Sequence, residues 1–342
     1  MKKIFIGMVT LLLGVILMSC GEKKYAHVFV YKNSDQYVGS LTSQLTDKLT
    51  EKGISWQKHD GDGDQAKQNG QIDTAITQKV GILIVNLVNS ETAPTILEKA
   101  KKANIPVIFF NRQPKDREFM KTWDKAVMLD GEVDTSSKMQ GKLVAEYLLK
   151  DYDKYAKADG IINYVMVMGE AEHEAAKSRT THSVGEANRL LVAAGKPEMK
   201  QIGENLVSNW QAAQAKTLMD TLLTNHAPET IDLIICNNDD AASGVIGSLE
   251  AKGYNKGYGE DKKLPEKTIP VFGYDAIQLG KDLIAAGKMA GTIKQPAEEN
   301  VRIIMILVEN YKNNKAWLDG ATDLKFVNGY NCIMIYDEIY KP

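Results

Sequence analysis

Six short clusters hold most of the side chains in this sequence that could do chemistry. They are Lys32-Asn33-Ser34-Asp35-Gln36-Tyr37, Asn111-Arg112, Gly169-Glu170-Ala171-Glu172-His173, Asn237-Asn238-Asp239, Asp275 and Lys294-Gln295. Amides, carboxylates, an imidazole, a guanidinium and aromatic rings hold a polar ligand by hydrogen bonding and stacking. Metal and nucleophile chemistry fits less well. His173-Glu174 begins like a HExxH zinc motif, but the fifth residue is Lys177, which cannot ligate as His does. Cysteines 20, 236 and 332 form no CxxC pair and no disulfide framework. Gly61-Asp62-Gly63-Asp64-Gln65-Ala66 spells a dinucleotide-binding pattern, yet its two carboxylates would face a pyrophosphate; Asp64 reads as a helix N-cap instead. Asp60, Asp62 and Asp64 mimic the start of a calcium loop, but Gln65 and Gln71 stand where Gly and Glu are required.

The clusters share a position: each follows an apolar run. Strands are expected at Ala26–Tyr31, Gly81–Asn86, Pro106–Phe110, Val127–Leu129, Asn163–Met168, Leu233–Cys236, Pro270–Tyr274 and Gly291–Ile293. Continuous runs such as Ile82-Leu83-Ile84-Val85 suit strands covered on both faces. Helical patterns lie between them, at Tyr37–Glu51, Asp64–Gln78, Ala93–Asn104, Ser136–Leu149, Lys177–Ala194, Trp210–Asn225, Ala241–Lys252 and Ala297–Tyr311. This alternation implies parallel sheets with right-handed crossovers, in two series that divide near residue 130. The fold class is α/β, with two doubly wound lobes. Ligands in such sheets meet the carboxyl ends of the strands, where the clusters fall. The spacing therefore describes a polar cleft between two lobes, furnished with aromatic plates.

Composition agrees. The 342 residues suit about two domains at roughly 150 residues each. With 25% charged and 44% hydrophobic residues, the chain is neither disordered nor a polytopic membrane protein. Its charge of 42 − 44 = −2 gives no basic excess for nucleic acid.

The N-terminus has its own pattern. Lys2 and Lys3 precede an apolar run from Ile4 to Leu17, broken only by Thr10 and small glycines. That run is too short for a comfortable membrane span, which needs ~20 residues, and fits a secretory signal. Leu17-Met18-Ser19-Cys20 resembles the bacterial lipobox. This implies cleavage before Cys20, lipidation of its thiol, and an exported protein held on a membrane by lipid alone. Residues 1–19 are then signal peptide and 20–25 a tether.

Taken together, the clusters resemble the D-galactose/D-glucose-binding proteins of bacterial ABC sugar importers, within the ribose-type periplasmic binding family. The likeness is carried by Ile-Val-Asn-Leu-Val at 84–88, Ile-Pro-Val-Ile-Phe-Phe-Asn at 105–111, Gly169-Glu170 with His173 and Arg179-Thr180-Thr181, Asn237-Asn238-Asp239, and Ile-Pro-Val-Phe-Gly-Tyr-Asp at 269–275. It implies a type I fold with a three-segment hinge. The first lobe would comprise 26–130 and 297–328, and the second 131–295 and 329–342. Asp35 falls at the carboxylate that accepts from a ring hydroxyl, Tyr37 at an aromatic covering one pyranose face, and Trp210 at the opposite stacking ring. Asn111 matches a hydroxyl-binding amide, and His173 and Arg179 match donors from the second lobe. Asn238 and Asp275 match the pair at the far hydroxyls, and Gln295 stands where the family has Asn.

Sugar chemistry supports these positions independently. A hexose has polar edges and partly apolar faces, so rings cover the faces and planar groups take vicinal hydroxyls two at a time. Two departures stand out. The family carboxylate that meets the anomeric hydroxyl is replaced by Ala175; Glu172, Glu174 or a water substitutes, or the contact is lost. In the family's calcium loop, aligned with 155–163, Tyr155 and Lys157 occupy the first two ligand positions, leaving Asp159, with Asp232 at the distal carboxylate. Calcium is therefore expected to be lost, with Lys157 supplying positive charge, and no cofactor is expected.

The expectation is a lipid-anchored, monomeric solute-binding protein in the periplasm or an equivalent extracytoplasmic space. It would capture D-glucose, with D-galactose second, by hinge closure and deliver it to an ABC permease. Ribose or xylose is the runner-up ligand. A sensor that presents sugar to a chemoreceptor is the rival role. Asp35 and Asp275 could nominally serve as a glycosidase pair, but amides and aromatics surround both, so no enzyme is expected.

Overall fold

The computed structural model describes residues 25–112, 116–156, 159–327 and 329–342. The signal segment, Cys20, the tether up to Lys24 and Lys157 lie outside the described residues.

Burial on both faces makes the apolar runs into parallel strands. In chain order, the first lobe runs β1 (Ala26–Val30), α1 (Gln36–Glu51), β2 (Trp56–Asp60), α2 (Gln65–Thr77), β3 (Ile82–Val85), α3 (Ala93–Ala103), β4 (Val107–Phe109) and β5 (Ala126–Gly131). The second runs α4 (Val133–Leu149), α5 (Tyr152–Tyr155), β6 (Asn163–Met168), α6 (Glu174–Ala193), β7 (Lys200–Gln201), β8 (Leu206–Val207), α7 (Ala212–Asn225), β9 (Leu233–Cys236), α8 (Asp239–Ala251), β10 (Val271–Phe272), α9 (Gln278–Ala285) and β11 (Ile293–Lys294). The chain ends with α10 (Ala297–Lys312), β12 (Cys332–Ile335) and β13 (Glu338–Ile339).

The first sheet has the order β12-β5-β4-β3-β1-β2, and its six strands are parallel. Alternate residues feed two cores. Val28, Val30, Ile84 and Ile108 face α1 and α10, whereas Phe29, Leu83, Val85 and Phe109 face Ile72 of α2 and Ile96 and Leu97 of α3. The second sheet has the order β10-β9-β6-β7, with β8 also on β6. It is double-faced too, with Val165, Ile234 and Val271 on one side and Met166, Ile235 and Phe272 on the other. In both sheets the strand order reverses beside the first strand, which opens a crevice at the carboxyl edge.

The lobes are stitched three times. β5 runs into α4, β11 runs into α10, which packs on α1, and β12 runs into β13, which pairs antiparallel with β11. The last crossing corrects an expectation. The resemblance implies that residues 329–342 lie whole in the second lobe, yet β12 pairs in parallel with β5, from Cys332 opposite Met128 to Ile335 opposite Gly131. Cys332-Ile333-Met334-Ile335 is an apolar run that completes the first sheet's edge, so the crossing follows Ile335. Asp64 caps α2 as expected, accepting from the backbone N–H groups of Ala66 and Lys67. The thiols of Cys236 and Cys332 are both buried.

Candidate functional site

One cavity lies between the lobes at the carboxyl ends of both sheets. Its volume is about 80 Å3, room for roughly six waters at ~10–15 Å3 of such volume each. A single monosaccharide displaces about that many. Asp35, Tyr37, Asn111, His173, Arg179, Trp210, Asn238, Asp275 and Gln295 all line it. The structure thus brings together every site residue expected within the described chain.

Each side chain is held by local structure. Asp35 caps α1: Oδ1 accepts from the Val38 N–H, and Oδ2 accepts from the Tyr31 hydroxyl at 2.6 Å. Tyr37, in the first turn of α1, is buried. Asn111 follows β4 in a left-handed conformation, φ 63°. Its Oδ1 accepts from Asn86 Nδ2 at 3.0 Å, and the Asn86 Oδ1 accepts from the Tyr31 N–H. Asn86 therefore ties the β1, β3 and β4 ends together, and Asn111 keeps its own NH2 for the cavity.

In the second lobe, His173 stands at the N-cap position of α6 without a side-chain capping bond, and Arg179 lies between one and two turns on. Arg179 Nη1 donates to the Asn237 carbonyl at 2.8 Å and sits 3.4 Å from Asp275 Oδ1, while its guanidinium lies 3.6 Å over the Tyr274 ring. Asn238 caps α8 through Oδ1 and donates Nδ2 to the Trp210 carbonyl. Asn237 is turned inward, accepting from the Gly169 N–H and from Thr180 Oγ1, so of the two asparagines only Asn238 lines the cavity. Gln295 donates to Asp275 Oδ1.

Trp210 differs from expectation. The sequence pattern puts it at the start of a helix, but α7 begins at Ala212, and Asn209 and Trp210 form a left-handed turn at φ 47° and 66°. The turn lays the indole across Gly169, where any Cβ would sit 2.5 Å from the ring. The indole and the His173 imidazole pack nearly perpendicular, with centroids 5.6 Å apart. Asp275 is likewise in an unusual conformation, φ 110°. Three cavity residues with positive φ, none of them glycine, mark a backbone held in place by its surroundings.

The polar atoms are poised but incomplete. Trp210 Nε1, His173 Nδ1, Arg179 Nε and Arg112 Nε are buried without a partner, a state that costs free energy until something pairs with them. Burial, with Arg112 and Arg179 nearby, holds the His173 imidazole well below its usual pKa, so it is neutral and offers one donor and one acceptor. Burial pushes the Asp275 carboxyl well above the usual range, although Arg179 pulls the other way.

Tyr31, Arg112, Asp130 and Asp337 also line the cavity; the sequence places Arg112 in a strand-end cluster but assigns none of the four a role. Tyr31 and Arg112 flank strand ends already singled out, and rank there could have found them. Asp130 takes Arg117 Nη2 at 3.0 Å, and Asp337 accepts from the Tyr274 hydroxyl; only knowledge of the hinge path would have exposed these two. Ala175 is at the wall. Glu172 is turned to Lys177 at 2.7 Å, and neither it nor Glu174 lines the cavity. No glutamate therefore substitutes for the missing family carboxylate. Asp232 accepts from the Asn163 N–H, and among the described residues no cluster of three His, Cys, Asp or Glu could hold a metal.

A family model described as a periplasmic binding protein domain matches residues 26–316. The chain belongs to this family. It is 30% identical over 296 residues to the D-galactose/methyl-galactoside binding periplasmic protein MglB of Haemophilus influenzae, covering 86% of this chain and 83% of that one. It is 23% identical to the ribose import binding protein of Escherichia coli, covering 78% of each. Among solved structures, a periplasmic solute-binding protein from Actinobacillus succinogenes with bound D-allose superposes with a TM-score of 0.73 at 19% identity, covering 93% of this chain and 98% of that one. These relatives are binding proteins, not enzymes.

Proposed function

We propose that this member of the periplasmic binding proteins captures one D-glucose, or D-galactose, between its lobes and presents it to an ABC permease. The observation that carries this reading is the convergence of nine polar and aromatic side chains from both lobes on one cavity of monosaccharide size. Asp35, Asn111, Asn238, Asp275 and Gln295 pair with hydroxyls, His173 and Arg179 contribute from the second lobe, and Tyr37 and Trp210 cover apolar faces. Because sugar touches both lobes, it binds the closed state better and shifts the hinge toward it. With alanine at 175 and no glutamate in its place, the anomeric hydroxyl meets water or nothing. Glucose and galactose differ only in configuration at C4, so discrimination between them rests on the groups that meet that hydroxyl, whatever becomes of the anomeric contact. The lipobox-like Leu17-Met18-Ser19-Cys20 supports an exported protein anchored through Cys20. Sequence likeness to the ribose relative keeps pentoses as the second ligand class, and presentation to a chemoreceptor is the second role.

Calorimetric titration of the soluble form beginning after Cys20, stripped of copurified ligand by unfolding and refolding, tests the reading. D-Glucose or D-galactose should bind near micromolar, about −8 kcal/mol. Ribose or xylose binding more tightly would move the assignment to pentoses, and silence from all four would sink it.

A further inference from the structure

One ion pair crosses the mouth of the cleft outside the set of residues assigned to sugar. Arg112, at the end of β4 in the first lobe, donates through Nη2 to Glu170 Oε2 at 2.9 Å; Glu170 follows β6 in the second lobe. The second arm is longer, with Nη1 3.5 Å from Oε1. The arginine is fixed on its own lobe twice over. Nη2 also donates to the Val88 carbonyl at 3.0 Å, and the guanidinium lies 4.0 Å over the Tyr31 ring. Tyr31 in turn donates to Asp35, so a continuous chain runs from Glu170 through Arg112 and Tyr31 to a carboxylate of the cavity. Glu170 itself does not line the cavity, and its side chain is 33% exposed whereas that of Arg112 is 6% exposed. A pair with one member buried and a near-bidentate fork is stronger than an exposed one. It exists only while the lobes are together, because its members ride on different lobes.

We propose that Glu170 is a closure latch: it touches no ligand, favours the closed state with or without ligand through Arg112, and so scales affinity for every ligand by the same factor. This rests on reading the cleft as a site that closes on sugar, and it adds a residue that sets affinity without setting specificity. Only interactions that differ between two states shift their balance, and this pair differs completely between open and closed.

The test uses Glu170→Gln, which keeps the shape and removes the charge, and Glu170→Lys, which reverses it. Small-angle scattering of the ligand-free proteins reads closure without any assumption about the ligand. Both variants should be more open than the parent, with a larger radius of gyration, and raising salt should open the parent but not Glu170→Gln. Stopped-flow binding should show a dissociation rate raised about tenfold, by the same factor for D-glucose and D-galactose. Melting curves check that both variants fold, as the exposure of Glu170 allows. An unchanged radius in both variants would overturn the latch, as would a loss confined to one sugar, which would make Glu170 a ligand contact. If neither sugar binds, the sugar reading fails, and the scattering still decides the latch.

Discussion

Asp239 sits directly beneath the site and has no exposed surface. Its carboxylate accepts from Thr292 Oγ1 at 2.6 Å and from the Ile277 N–H at 3.0 Å, and so fixes the turn that aims Asp275 into the cavity. Burial pushes its pKa up to about 7, against these hydrogen bonds. The sign follows from linkage. An unfolded Asp titrates near 3.9, so between about pH 4 and 7 the folded chain holds a proton that the unfolded chain has released. This group's contribution is complete below pH 4 and is lost as pH rises through 7. His27 works oppositely. Burial, then His59 beside it, lowers its pKa to about 4, and its contribution is lost as pH falls from 6.5 toward 4. Comparison with Asp239→Asn separates the two. The Asn cannot accept from the Ile277 N–H with its amide end, so the variant should be less stable by ~1–3 kcal/mol at pH 5. The gap should narrow at pH 8, where the parent carries a buried charge. Urea unfolding at both pH values measures it, and a gap independent of pH would mean that Asp239 titrates normally.

Two glycines do opposite work in positioning the elements. Gly141 of α4 lies against α6, and an added Cβ would sit 2.2 Å from the Ser183 backbone oxygen. Backbone cannot swing aside, so Gly141→Ala should destabilise the second lobe by ~1–3 kcal/mol while leaving sugar affinity of the folded fraction unchanged. The three atoms nearest to a Cβ at Gly169 all belong to the Trp210 ring, a side chain that can move. Gly169→Ala should therefore keep stability within ~1 kcal/mol yet cost about tenfold in affinity as the indole is displaced; calorimetry and melting together tell the two apart. Legibility in the sequence follows the same division. Buried parallel strands such as Ile82-Leu83-Ile84-Val85 are readable because an apolar run has few other uses. β2, Trp56-Gln57-Lys58-His59-Asp60, was missed because an edge strand is half-covered and polar. The residues after β1, β4, β6, β9 and β10 were legible as a site because strand ends in doubly wound sheets converge. The Trp210 turn was not, because its left-handed backbone comes from packing over Gly169 and not from local propensity.

At the scale of the whole molecule, the last eleven residues decide how the lobes communicate. β12 closes the first sheet against β5, whereas β13 pairs with β11 on the other side of the hinge. Between them Asp337 lines the cavity and accepts from the Tyr274 hydroxyl, whose ring carries the Arg179 guanidinium. The third crossing is thus tied to a cation of the cavity wall and is more than a covalent link. Two truncations separate these roles. A chain ending at Ile335 retains the whole first sheet and loses the third crossing together with Asp337 and β13. It should keep the first lobe folded, lose ~1–3 kcal/mol in the second, where the buried Tyr274 hydroxyl loses its acceptor, scatter as a more open particle and bind sugar several-fold more weakly, because closing must then order two connections without the third and without Asp337. A chain ending at Val327 loses β12. Its missing strand leaves the β5 edge unpaired and uncovers buried Met128 and Leu129, with aggregation the expected result. If 332–335 instead belonged to the second lobe, the two truncations would behave alike; solubility and a melting curve for each distinguish the cases, since only membership of the first sheet makes four residues decide whether that lobe folds.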